Sequence, residues 1–169
     1  MGMYEACVPP AIGALEALSG VLGKAAAWAE ARKIDPAVLL GSRMAPDMFA
    51  LTRQVQVACD VVKGGAALLA QVEAPKMADD ETTFPALEER IGKTVAFLKS
   101  VPPGSMDGGE TRVIKRKLRG ADVSFAGQEY LTRFVMPNLY FHCAASYMIL
   151  RHNGVDVGKG DFLGAYRTL

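Results

Sequence analysis

Tyr140-Phe-His-Cys-Ala-Ala-Ser-Tyr-Met-Ile-Leu-Arg-His152 is the stretch whose reading decides the fold. It reads as a largely buried helix that carries a few polar groups among apolar ones. Asn138, His142 and Ser146 recur every four residues, so on a helix they stack along one side. An imidazole among large apolar side chains needs a hydrogen-bond partner or a metal. One histidine cannot fix a metal through protein ligands alone.

Reading backwards from this stretch, Tyr130, Phe134, Phe141, Ala145, Met148 and Ile149 give one broad apolar face. The spacing predicts a helix from about Gly127 to His152. Pro137 lies inside it and predicts a kink. Asn153-Gly154 predicts its stop.

Three more helices of comparable length precede it. Val8, Ile12, Leu15, Leu18, Leu22, Ala25 and Ala26 step by three and four, which predicts a first helix over about Tyr4 to Arg32. Pro9 and Pro10 are read as lying near its start, where proline is tolerated, and Trp28 as closing its apolar stripe. Lys33 to Pro46 reads as a connection with a turn or short helix packed on the bundle. A second long helix is predicted from Asp47, as cap, to about Val72. Its buried face is Met48, Leu51, Val55, Ala58, Cys59, Val62, Ala66 and Leu69. Gly64-Gly65 weakens that helix by roughly 1 kcal/mol per glycine, which close approach of another helix would offset. A loop through Asp79-Asp-Glu81 follows. Thr82 or Thr83 before Phe84-Pro85 then predicts a third helix to about Ser100, with Leu87, Ile91, Thr94, Val95 and Leu98 inward.

Thr111 to Leu118 breaks the helical rhythm. With a turn at Arg119-Gly-Ala-Asp122 and a return at Val123 to Ala126, it predicts a short hairpin, which must lean on the bundle or on a second subunit. The tail after Gly154 is glycine-rich, yet Phe162, Leu163 and Tyr166 predict that it docks on the body. The expected fold is therefore all-α: a four-helix bundle, up-down-up-down or with one crossover, with a small β-hairpin between the third and fourth helices and a docked C-terminal tail. One domain over 1–169 accounts for the length.

Half of the residues are hydrophobic, enough for a core, and the formal charge is +1. That balance argues against disorder and against a generally nucleic-acid-binding surface. Cys7, Cys59 and Cys143 are odd in number and widely spaced, with no CxxC pair. This argues against a disulfide framework or a zinc knuckle and fits reduced thiols in the cytoplasm. No secretory signal is read at the N-terminus, and no membrane-spanning stretch is expected.

Three strings carry a family resemblance: Asp47-Met-Phe-Ala-Leu-Thr-Arg-Gln-Val-Gln-Val-Ala-Cys-Asp60, Phe84-Pro-Ala-Leu-Glu-Glu-Arg-Ile-Gly-Lys-Thr94, and Tyr140-Phe-His142 through Gly154 to Gly158-Lys-Gly-Asp-Phe-Leu-Gly164. Together they resemble a bacterial branch, a domain of unknown function, of the DinB/YfiT-like superfamily of four-helix bundles. The resemblance implies a divalent metal, zinc or nickel, held by three inward histidines. One would lie on the second helix and two on the fourth, four residues apart. It also implies thiol-dependent transferase, isomerase or hydrolase chemistry. Here only His142 fits. Ser146 stands four residues on, and Gln54 or Gln56 stands where the second helix would supply a histidine. Serine and neutral glutamine are poor substitutes for imidazole.

The candidate ligand-binding set is thus His142, Asn138, Gln54, Gln56 and Ser146, with His142 as the one metal candidate. The plainer reading of His142 is a core histidine bonded to Asn138, Ser146 or a glutamine. Asp60 is read either as orienting His142 or as pairing with Lys63 or Arg53. The cysteines read as small inert core residues and His152 as a helix-end cation. Arg112, Lys115, Arg116, Lys117 and Arg119 read as a charged edge strand rather than an RNA contact. Gly154 to Gly160 lacks phosphate-loop spacing. The leading functional expectation is a degenerate metal site that binds a small ligand in an interior cleft. The alternatives are a metal-dependent thiol transferase or hydrolase using His142, and a structural module that dimerises through hairpin and tail. A homodimer is the expected assembly; no nucleic acid and no membrane are expected as partners.

Overall fold

A computed structural model describes residues 1–118 and 120–165. Arg119 of the expected turn and Tyr166 of the expected tail lie outside the described residues. Four long helices build the bundle: α1 (Met3–Ala31), α3 (Leu51–Ala70), α4 (Phe84–Ser100) and α6 (Met136–His152). Short helices α2 (Pro36–Leu40), α5 (Gly127–Tyr130) and α7 (Lys159–Leu163) join or follow them. Strands β1 (Val113–Leu118) and β2 (Ala121–Ala126) form the antiparallel hairpin, with Val113 opposite Ala126 and Leu118 opposite Ala121. Gly120, at φ +85°, supplies the left-handed residue that so tight a reversal needs.

Around the bundle the helices follow one another as α1, α4, α3, α6, so α1 lies diagonal to α3 and α4 diagonal to α6. The connections α1–α3 and α4–α6 therefore cross the bundle ends, and only α3–α4 joins neighbours. Each helix turns its apolar side inward. Leu15, Leu18 and Leu22 of α1 meet Leu87, Ile91 and Leu98 of α4 and Leu139, Ile149 and Leu150 of α6 in one core. The burial of such side chains is the main stabilising contribution.

Three boundaries differ from expectation. Asp47 does not cap the second long helix; α3 starts at Leu51 with Ala50 as its cap and no side-chain bond. Pro9 and Pro10 sit inside α1 rather than in its first turn. Pro9 is exposed, and the carbonyls freed on that side can meet water. The kink expected at Pro137 takes the form of a π-helical turn, Leu131–Val135, between α5 and α6. The Met136 N–H bonds the Leu131 carbonyl five residues back, just ahead of the proline that offers no N–H of its own. Where the sequence had strong signals the match is close. Thr83 Oγ1 accepts from the Ala86 N–H at 3.2 Å and starts α4, with Pro85 in its first turn.

By length and composition α1 could cross a membrane, with mean hydropathy 1.4 over 18 residues, contrary to the sequence reading. In the fold it is a bundle helix packed on α4, α6 and α7. Gly65 lets α3 approach the π turn: a Cβ there would lie 2.7 Å from Val135. Gly64 faces open space and has no such compensation.

The hairpin and the tail are both anchored within the chain. Phe125 of β2 packs on Tyr130 and Phe134, with ring centroids 5.7 and 6.1 Å apart, and Ile114 is buried. In the tail, Phe162 meets Tyr147 at 5.9 Å, and Lys24 of α1 pairs with Asp161 at 2.7 Å.

Candidate functional site

α3 and α6 are neighbours, and the turn of each helix decides which polar groups meet between them. His142 is 7% exposed. Its Nδ1 lies 2.7 Å from Gln54 Oε1. The Gln54 side-chain amide donates to the Phe49 carbonyl at 3.1 Å, so its oxygen faces the ring and His142 donates through Nδ1. Nε2 then carries the lone pair. It has no hydrogen-bond partner among the described residues and is not one of the fully enclosed unpartnered atoms, so it is the part of the ring that solvent reaches. Burial, aided by the Arg53 guanidinium, pushes the imidazole below its ordinary value, so the ring is neutral at pH 7. Phe141 presents its ring edge-on, 5.2 Å from the imidazole.

Gln56 is two residues from Gln54, so it points to another side of α3. It donates to Glu81 at 2.8 Å and accepts from Arg53 at 3.1 Å. The glutamine opposite the histidine is Gln54. Asn138 and Ser146 share the helix side of His142 but do not bond its ring. Asn138 donates to the Phe134 carbonyl, close to where Pro137 removes a backbone donor. The Ser146 hydroxyl donates to the His142 carbonyl at 2.9 Å. Both are back-bonded to their own helix. Among the described residues, none of the better-formed surface depressions is lined by any of these side chains.

A second polar centre escaped the sequence reading. Arg90 is 2% exposed. Its guanidinium pairs with Asp60 at 2.8 Å, Asp79 at 3.0 Å and Glu81 at 2.8 Å, and donates to the Ala78 carbonyl at 2.8 Å. Lys63 adds a 3.0 Å pair with Asp60. Asp60 thus belongs to Arg90 and Lys63 and not to His142. Burial alone would raise the Glu81 carboxyl, but the bonds from Arg90 and Gln56 outweigh it and hold it below the usual carboxylate range. The signal was present: Arg90 lies on the Leu87, Ile91, Thr94, Leu98 stripe, where a cation needs buried partners.

The three thiols are unsuited to nucleophilic work. Burial pushes Cys7 and Cys143 up to about 12 and Cys59 up to about 11. In the basic run, Arg112 donates to the Leu69 carbonyl at the end of α3, and Lys115 and Lys117 are exposed on β1. His152 is exposed in the last turn of α6.

The donor set does not fit a three-histidine metal. Among the described residues no group of three His, Cys, Asp or Glu side chains comes together. Gln54 and Ser146, the two replacements, are engaged by His142 and by the α6 backbone.

The family described as "Domain of unknown function (DUF1993)" matches residues 3–163. A DinB family member protein from Shewanella denitrificans, solved at 1.83 Å, is similar to the chain at 41% identity and a TM-score of 0.91; the match covers 99% of this chain and 96% of that one. No curated protein matches the chain.

Proposed function

We propose, for a chain that belongs to the DUF1993 family and has the DinB-like fold, that His142 is the recognition group of a small-molecule site that works without a transition metal. The observation that carries this is the 2.7 Å bond from His142 Nδ1 to Gln54 Oε1, which fixes the tautomer and turns Nε2 outward as an acceptor. A ligand O–H or S–H can donate to Nε2. Arg53 lies close enough to depress the imidazole, and its guanidinium is shared with Asp79 at 2.5 Å. Phe141, exposed, offers apolar surface beside the ring, and exposed Phe49 lies against the Arg53 guanidinium at 6.0 Å. The fitting class is a small hydroxy acid or thiol acid with an apolar body. Three buried thiols suit a reducing compartment, which is our proposal for the location.

The test is a thermal-shift series of small hydroxy acids and thiol acids against the wild type and His142→Phe. Binding to the native state raises the melting temperature. The expected result is an upward shift in the wild type that disappears in His142→Phe. No shift with any compound, or an equal shift in both proteins, overturns the reading.

The same neutral imidazole favours a second reading, in which Nε2 acts as a general base on the bound ligand. In that case the pH profile of turnover falls on the acid side as His142 gains its proton.

A further inference from the structure

On the side of the bundle opposite the α3–α6 contact, α1 packs along α4. Where the end of α1 meets the start of α4, the surface sinks into a cup of about 530 Å³. Ala26 and Glu30 of α1, one turn apart, form one wall, and Ile34 and Pro36 continue it past the helix end. The start of α4, from Thr83 to Pro85, forms the other wall. Phe84 is only 2% exposed, so its ring belongs to the core and closes the cup from below. Pro36 and Pro85 each stand in the first turn of a capped helix. Asp35 accepts from the Ala37 N–H at 2.9 Å, and Thr83 from the Ala86 N–H at 3.2 Å. Capped turns and rigid proline rings keep the cup formed without a ligand. A concave, mostly apolar site of this size between bundle helices, with few polar groups, is the usual form of a small-molecule site.

Glu30 is the one charged group in the wall. Its position is electrostatically poor. It lies in the last turn of α1, at the negative end of that helix, and no Lys or Arg shares the turn. Among the described residues it has no ion-pair partner. The two cations that follow it do not supply one. The Arg32 guanidinium lies over the Trp28 ring instead, 4.5 Å from its centroid. Lys33 pairs with no acid among the described residues. On the opposite wall, the positive start of α4 is met by its own cap, Thr83.

We infer that the cup binds a small primary or secondary amine carried on an apolar body. The ammonium sits on the Glu30 carboxylate, and the body lies against Phe84, Ile34 and the two proline rings. A protonated amine answers both the unmatched carboxylate and the negative end of α1. An uncharged ligand removes part of the water from Glu30 and returns nothing for it. A carboxylic acid is repelled. Apolar burial supplies most of the affinity, because an open ion pair is worth little by itself; Glu30 decides which charge is accepted. The inference stands apart from the ligand reading at His142, which lies across the bundle.

The experiment titrates the full chain with benzylamine, benzyl alcohol and benzoate, three probes that share a ring and differ in charge. Backbone amides are followed by nuclear magnetic resonance, in the wild type and in Glu30→Gln. Benzylamine is expected to shift the amides of Glu30, Ile34, Thr83 and Phe84 to saturation and to leave that of Gln54 unmoved. Its dissociation constant should lie about fivefold below that of benzyl alcohol, the upper end for an exposed pair, and benzoate should not bind. Glu30→Gln keeps the size of the side chain and removes its charge, so there amine and alcohol should bind alike. Failure of benzylamine to shift the cup amides overturns the inference. So does equal binding of amine and alcohol to the wild type, or a preference for the amine that survives Glu30→Gln.

Discussion

His142 and Gln54 meet across the α3–α6 contact through one 2.7 Å hydrogen bond, and the glutamine in turn holds the carbonyl of Phe49. The chain Phe49–Gln54–His142 fixes which ring nitrogen carries the proton. Because the folded-state ring titrates below its ordinary 6.5, the unfolded chain binds a proton that the native chain refuses. Stability at this site is therefore full above the unfolded value and falls as pH drops through it. Nuclear magnetic resonance titration should place the His142 midpoint below the ordinary 6.5. Gln54→Glu places a carboxylate on Nδ1 and should raise the His142 midpoint. An unmoved midpoint would remove Gln54 as the orienting group.

Arg90 should be the most costly single cation to lose. Arg90→Met leaves Asp60, Asp79 and Glu81 without their shared partner. Breaking a buried pair costs about 3–5 kcal/mol, and the partial exposure of Asp60 and Asp79 puts the expected loss near the lower figure, ~3 kcal/mol. Asp79 and Glu81 are both held below the usual carboxylate range. Their contribution is present above the unfolded values and is lost as pH falls through the folded ones. Urea midpoints measured between neutral pH and pH 3 should show this acid-side loss in the wild type and a smaller one in Arg90→Met, where Arg53 still holds Asp79 and Gln56 still holds Glu81.

Adjacent glycines on α3 should respond oppositely to the same substitution. Gly64→Ala adds a methyl in open space and removes the glycine penalty, so it should stabilise by about 1 kcal/mol. Gly65→Ala drives Cβ into Val135 and should destabilise by about 1–3 kcal/mol. Adding Val135→Ala to Gly65→Ala should recover part of that loss in a double-mutant comparison, since the two side chains touch. Additive losses would mean that the contact is not the cause.

Protein purified without added metal, then exposed to zinc or nickel and desalted, should hold well under one ion per chain by elemental analysis. The expectation follows from the donors: one imidazole, an amide and a hydroxyl, the last two already bonded. A stoichiometric ion lost on His142→Ala would reverse it.

Much of the architecture was legible in the sequence because four periodic stripes and one hairpin left few alternatives. Local chemistry marked Thr83-Phe84-Pro85 as a helix start. It misled at Asp47, because an aspartate after proline is also a good turn residue and the chain runs on through Ala50 before α3 forms. The partner of His142 could not be chosen between Gln54 and Gln56. α3 is buried on several sides, and the side facing α6 depends on how two helices turn against each other, which no local pattern encodes. Asn138 and Ser146 shared the histidine's side as expected, but backbone carbonyls one turn away competed for their hydrogen bonds and won. Arg90 was legible in principle as a cation on an apolar stripe. Its three acids come from α3 and from the Ala74–Thr83 loop, whose path depends on that same arginine.

The widened turn at Leu131–Val135 sets an angular phase. It holds one residue more per turn than the helices on either side, so everything beyond it is rotated by about 100° relative to an unbroken helix. Removing a single residue there, Thr132 for example, would rewind the segment. The imidazole would swing away from Gln54. Which way His142 faces is thus clocked by one inserted residue.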